Sequence, residues 1–287
     1  VLTRGDVIIS DRLVHASVID GIRLAPAMHD TFKHSNMKHL ESKLQLHESA
    51  RLKVVVTDGV FSMDGDSAKL DEMTGLCEKY NAMLVMDDSH ATGFIGKKGR
   101  GTHEKYNVMD KVDAITTTFG KALGGASGGC ISGRQEIVDI CRQKARPYLF
   151  SNTLSPVIVS GTLKALEILT ESTERRDKLE SNTEFWRKGL EDAGFILKPG
   201  DTPIVPIMLF NAKLSQDFSS DLFEKGIFAI GFFFPVVPKG QARIRTQISA
   251  AHDQGHLEFA LEKFTEVGKK YGILGKSKQE IIEMYGL

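Results

Sequence analysis

The 287-residue chain carries 37 basic and 37 acidic side chains, so its formal net charge is zero; 41% hydrophobic and 26% charged residues describe an ordinary soluble globular protein. That balance argues against a nucleic-acid or anionic-membrane partner, no apolar run reaches the length of a membrane span, and no signal or transit peptide is visible. Cys77, Cys130 and Cys141 form neither a metal-type pair nor an even-numbered framework, which fits small core residues in a reducing compartment, and the length suggests about two domains.

The chain opens on Val1 and runs almost at once into an apolar strand at residues 6–9, so it reads as a fragment, with any targeting segment upstream. His15 follows at a strand-to-helix junction, ahead of the helical pattern Val18, Ile19, Ile22, Leu24. A single histidine there is by default a hydrogen-bonded structural residue. Asn36 is placed to N-cap a helix with Met37, Leu40 and Leu44 on one face. Residues 52–57 are a β-branched run typical of a strand buried on both faces. The polar loop after it, 58–66, is rich in aspartate but lacks EF-hand spacing, so no metal is expected. Asp64 and Asp66 are expected to serve its turns or to cap a helix over residues 70–80.

Residues 82–86 form another buried strand, and Asp87-Asp88-Ser89-His90 stands at its carboxyl end, the edge at which open α/β sheets bind ligands. Adjacent residues alternate direction, so only one of the two acids faces a given pocket. Residues 93–101 read most simply as a mobile surface loop of glycine and lysine, with phosphate binding a weak alternative. A strand over 112–118 then delivers Lys121 into a stretch with four glycines in the next eight residues, where backbone can approach a bound group closely. Three readings compete for Lys121: a solvated lysine; a phosphate loop, weakened because Ala122 stands where Ser or Thr belongs; and a Schiff-base lysine for pyridoxal phosphate, which needs a carboxylate partner elsewhere.

Beyond it come a helix over 134–145 and, from Ser155-Pro156, a long helix to about residue 170. Strands alternating with helices predict an α/β fold with a mostly parallel sheet covered by helices. The charged segment 171–176 separates a large domain, residues 1–171, from a smaller α/β domain, residues 172–287. In the latter, Leu179, Thr183, Trp186 and Leu190 form one helical stripe ended by Gly194. A strand (204–210), a helix (214–224), two strands (227–230 and 242–248) and a helix (256–271) follow. The aromatic run 232–235 reads as a packing loop, and residues 276–287 as an appended amphipathic tail. Arg243 and Arg245 point to the same side of their strand, both placed for its exposed face. Either is a natural bidentate partner for a carboxylate, and spacing does not choose between them.

Four segments occur in order: His15-Ala16-Ser17, Gly59-Val60-Phe61-Ser62-Met63-Asp64-Gly65, Asp87-Asp88-Ser89-His90-Ala91-Thr92-Gly93 and Thr118-Phe119-Gly120-Lys121-Ala122-Leu123-Gly124-Gly125. Together they resemble the α-oxoamine synthases, pyridoxal-phosphate enzymes of fold type I that condense an amino acid with an acyl-CoA. The resemblance runs from Val1 to about Leu274. It implies that Lys121 holds the cofactor and serves as base, that Asp87 pairs with the pyridinium nitrogen, and that His15 stacks on the ring and contacts substrate. It implies further that Ser62 and His90 lie beside the phenolic oxygen, Thr118 beside the cofactor, and that Arg245 clamps the substrate carboxylate. Ser151 and Asn152 would reach the phosphate of a neighbouring subunit's cofactor, which implies a homodimer with shared active sites.

Within the family, residues 145–153, 124–129 and 236–245 are most similar to members that join glycine to acetyl-CoA, giving 2-amino-3-oxobutyrate and CoA in threonine breakdown. Sister enzymes such as 5-aminolevulinate synthase and 8-amino-7-oxononanoate synthase share the core chemistry and stay as alternatives. So do a non-catalytic partner subunit, against which Lys121 counts, and an inactive fragment. The family's N-terminal segment, with a glycine-rich piece that holds part of the phosphate, is missing from the sequence; Val14 replaces a common asparagine and Cys130 a common aromatic. Mitochondrial and cytoplasmic settings both fit.

Overall fold

A β-branched run stripped of polar side chains has one stable place, the middle of a sheet covered on both faces. In the computed structural model, which describes residues 2–124 and 127–287, Val54–Val56 form such a run at the centre of Lys53–Asp58 (β3), a strand buried from end to end although Lys53, Thr57 and Asp58 are polar. Val1, Gly125 and Ala126 lie outside the described residues; the last two sit within the glycine-rich stretch. The chain divides into two compact units, Val1–Phe61 with Ser67–Thr173 and Ser62–Asp66 with Glu174–Leu287.

The first unit runs β1 (Val7–Asp11), α1 (Ala16–Leu24), β2 (Met28–Phe32), α2 (Met37–Leu46), β3, α3 (Leu70–Lys79), β4 (Ala82–Asp87), α4 (Thr102–Lys105), β5 (Ala114–Thr118), β6 (Gly129–Gly133), α5 (Gln135–Lys144), α6 (Arg146–Phe150) and α7 (Pro156–Glu171). Its sheet has the order β2-β1-β3-β4-β5-β6, all parallel except β6, which runs antiparallel to β5. Alternation along the strands sorts the core. Ile9, Val55, Leu84 and Met86 pack with Leu40 and Leu44 of α2 and Leu70 and Met73 of α3. Ile8, Val54 and Val56 turn the other way, onto Ile22 of α1. Asn36 caps α2 by accepting the His39 N–H at 2.9 Å.

Three strands depart from the sequence reading: the one expected at residues 227–230 runs instead over Ile230–Phe232, and two were not expected. The segments Met-His-Asp-Thr-Phe (β2) and Gly-Cys-Ile-Ser-Gly (β6) carry no apolar alternation because both are outermost strands, and all five residues of β6 are exposed. Backbone pairing to β1 and β5, rather than side-chain burial, defines them. Gly129 is required in β6, since a Cβ there would stand 2.4 Å from the Thr117 carbonyl oxygen.

The second unit comprises α8 (Glu174–Asp192), β7 (Ile204–Phe210), α9 (Ala212–Glu224), β8 (Ile230–Phe232), β9 (Ala242–Gln247), α10 (Gln254–Lys270) and α11 (Lys278–Tyr285), around an antiparallel sheet of order β7-β9-β8. Trp186, Leu190, Ile207, Phe218, Ile244 and Phe264 form its core. The tail is part of this unit. Ser277 and Glu280 make a reciprocal capping box at the start of α11, Ile281 is buried in the core, and the Tyr285 hydroxyl donates to the Tyr271 carbonyl at 2.6 Å.

Candidate active site

Parallel strands that end together bring the residues just past their carboxyl ends to one edge, and in the first unit that edge collects the titratable groups. β3 and β4 are in register so that Asp58 is the partner of Asp87. Asp87 is half-buried; it accepts the Thr116 hydroxyl at 2.6 Å and the Ser89 N–H at 3.1 Å, which fixes its carboxylate at the strand end. Asp88 points the opposite way and is completely buried, accepting Thr102 Oγ1 at 2.6 Å and Thr102 N–H at 3.0 Å. Burial pushes the Asp88 carboxyl up to about 6, against the opposing hydrogen bonds from Thr102. Alternation along one strand thus separates a site acid from an anchor.

The anchor explains two glycines. A Cβ on Gly59 would lie 2.0 Å from Asp88 Oδ1, and one on Gly101, whose φ is +114°, 1.8 Å from Asp88 Oδ2. The loop between β4 and α4 is therefore strapped to the sheet by Asp88. His90, half-buried, sits at the start of that loop.

Thr118 ends β5. Its N–H donates to Ser89 Oγ at 3.1 Å, and its hydroxyl donates to the Gly128 carbonyl at 3.1 Å while accepting the Gly120 N–H at 3.1 Å. These bonds shape the turn that carries the exposed Lys121 three residues beyond the strand. His15 occupies the N-cap of α1, its Nδ1 accepting the Ser17 N–H at 3.3 Å, and its ring is exposed. Its own backbone N–H donates to Asp58 Oδ1 at 3.2 Å.

Asp58 is the group the sequence reading missed, having been absorbed into the turn chemistry of its loop. It is 4% exposed. Burial pushes its carboxyl up to about 8; the His15 N–H opposes this, the charges of Asp87 and Asp11 add to it, and that of Lys121 opposes it. Asp58 therefore senses the charges of both Asp87 and Lys121. Its signal in the sequence was an aspartate at the end of an apolar strand, the same signal that marked Asp87.

Ser62 and Arg245 belong to the second unit, where the Arg245 guanidinium donates to the Ser62 carbonyl at 3.1 Å and lies 4.7 Å from the centre of the Phe232 ring. Burial draws its pKa below the usual arginine value. Arg243 is not on an exposed face, contrary to expectation. It is 1% exposed, pairs with Asp64, donates to the Met63 carbonyl at 2.9 Å, and is bracketed by Gln241. Asp64 correspondingly does not cap α3; it also meets Lys198 at 2.6 Å, and Lys69 takes the N-cap position. The structure thus separates the two arginines that spacing could not. Ser151 and Asn152 are exposed in the first unit, just past α6.

A carboxylate held by hydroxyl and amide donors, an amine on a shaped turn and an imidazole at a helix cap suit a pyridine ring bearing an aldehyde: an acceptor for the ring N–H, a nucleophile for the carbonyl, an aromatic face. Fold and donor set are those of the pyridoxal phosphate-dependent enzymes of fold type I. Residues 1–264 match the family model for aminotransferase class I and II, and the chain belongs to that family. It is 49% identical over 271 residues, 94% of this chain and 68% of the relative, to the 2-amino-3-ketobutyrate coenzyme A ligase of Escherichia coli K12. Over 269 residues it is also 49% identical to the 8-amino-7-oxononanoate synthase of Thermosipho melanesiensis, covering 94% of this chain and 68% of that one. Relatives from mouse, cattle and human bear the first name with the word mitochondrial. Among solved structures, Sphingomonas wittichii serine palmitoyltransferase superposes with a TM-score of 0.91 at 31% identity, covering 96% of this chain and 69% of that chain. Among the described residues no helix is long and apolar enough to cross a membrane.

Proposed function

We propose that the chain is a glycine C-acetyltransferase, joining glycine to acetyl-CoA to give 2-amino-3-oxobutyrate and CoA, reversibly, in threonine catabolism. The observation that carries this reading is the convergence of Asp87, Lys121 and His15 on one sheet edge, with Asp58 sensing the charges of the first two. Pyridoxal phosphate, when bound, supplies the electron sink that makes the α-proton of glycine acidic. Lys121 Nζ holds the cofactor and, once released from it, takes that proton. Asp87 keeps a proton on the ring nitrogen, which its two hydrogen-bond donors and half-buried position suit. His15 covers the ring face and contacts substrate; Ser62 and His90 hold the phenolic oxygen, Thr118 borders the cofactor, and Arg245 binds the glycine carboxylate.

The assembly is a homodimer in which Ser151 and Asn152 serve the partner's site. In support, Tyr148, Phe150 and Val157, 66–79% exposed, flank these two residues in the chain with apolar surface. The compartment is mitochondrial or cytoplasmic, as the names of the mammalian relatives suggest for the first.

CoA release measured with a thiol reagent tests the reading. Turnover with glycine and acetyl-CoA, abolished in Lys121→Ala, is the expected result. The similarity to an 8-amino-7-oxononanoate synthase favours a second reading, another α-oxoamine synthase, and turnover only with a longer acyl-CoA would select it.

A further inference from the structure

His15 is held in two ways. Most of its described hydrogen bonds are local: Nδ1 to Ser17, and its carbonyl accepting the N–H groups of Val18 at 2.9 Å and Ile19 at 3.2 Å. The bond from its N–H to Asp58 is different, reaching 43 residues along the chain to the end of β3. The groups facing Asp58 are Asp87 from β4, Asp11 from β1, Lys121 beyond β5 and the His15 amide itself.

The geometry points to Asp58 as a positioning residue: its buried carboxyl ties the first turn of α1 to the end of β3 and so sets where the His15 imidazole stands at the sheet edge. With its carboxyl pushed up to about 8, Asp58 is largely protonated at pH 7. It offers an acceptor oxygen without putting a second negative charge beside Asp87. An amide oxygen does the same, whereas a side chain that cannot reach the amide releases His15. This inference rests on the proposal that His15 covers the cofactor ring.

The test measures the Kd of the apo form of the full chain for pyridoxal phosphate by equilibrium dialysis at pH 7, in wild type, Asp58→Ala, Asp58→Asn, His15→Ala and Asp58→Ala/His15→Ala. Hydrogen exchange is followed over residues 12–24 in parallel. Losing the acceptor of this part-buried hydrogen bond predicts a Kd about tenfold higher in Asp58→Ala, recovered to within about threefold in Asp58→Asn. Because Asp58 acts through His15, adding Asp58→Ala to His15→Ala changes Kd by less than about twofold. Exchange accelerates in the first turn of α1 ahead of the rest of the first unit. If Asp58→Ala does not fold, Asp58→Ser, too short to reach the amide, replaces it. Fully additive effects, or an Asn variant as impaired as Ala, overturn the positioning role. An unchanged Kd in His15→Ala overturns instead the reading of His15 on which it rests.

Discussion

Replacing Asp64 by alanine would leave the Arg243 guanidinium without its carboxylate in a site where that arginine is 1% exposed. Its other bonds, to the carbonyls of Met63 and Gln241 and to Gln241 Oε1, are to neutral oxygens and do not balance the charge. Lys198, 27% exposed at its side chain, can turn to water, so the loss concentrates on Arg243. Removing one partner of a buried pair costs about 3–5 kcal/mol. With a urea dependence of about 2 kcal/mol per M, the midpoint falls by about 1.5–2.5 M. Trp186, the single tryptophan, is 2% exposed in the core of the second unit and donates to Thr246 at 2.8 Å, so its fluorescence reports unfolding there. The pH dependence supplies a second check. Burial alone would raise the Asp64 pKa, but the hydrogen bond and charge of Lys198 and the charge of Arg243 outweigh it, and the net shift is downward. A depressed carboxyl contributes stability that is present above its unfolded pKa and lost as pH falls through the folded value. The gap between wild type and Asp64→Ala therefore narrows below about pH 4. A midpoint shift under about 0.3 M at pH 7 would show that the pair does not hold the segment 62–66 in the second unit, and would refute the reasoning.

Three further outcomes are expected. Gly59→Ala drives a methyl into Asp88 and Thr102 and destabilises the first unit by about 1–3 kcal/mol, read as a fall in Tm by circular dichroism. Phe218→Ala empties a site with no exposed surface, in ring contact with Phe195, Phe264 and Tyr271, and lowers the stability seen by Trp186 by about 3–5 kcal/mol. Asp58 has its folded pKa raised to about 8, so the stability from its protonated form is complete below the unfolded carboxyl pKa and is lost as pH rises through 8. Urea titrations at pH 5 to 9 should show wild type losing stability relative to Asp58→Asn across that range, and a flat difference would contradict the shift.

Period and composition were enough to place most elements. The apolar runs of β3, β4 and β7 and the helical stripes of α2, α3, α8 and α10 have to be buried, and each such pattern has one low-energy secondary structure. The same local chemistry made Lys121 and the Asp87-Asp88 pair legible as site candidates. The sequence left β2 and β6 unseen, because outermost strands are held by backbone bonds that any side chain permits. Choices between equivalent neighbours also required the folded chain. Asp88 became the buried anchor through Thr102, which lies 14 residues away, and Asp87 was left at the site edge. Arg243 was taken into the interior by Asp64, 179 residues distant, while Arg245 remained half-buried. Asp58 acquired its raised pKa from burial and from the charges of Asp87 and Asp11 on two other strands, against the opposing charge of Lys121. Local sequence determines which face a residue presents; which charges it meets there is decided by strands and loops brought together from far along the chain, because electrostatic energies depend on distance in space and on burial.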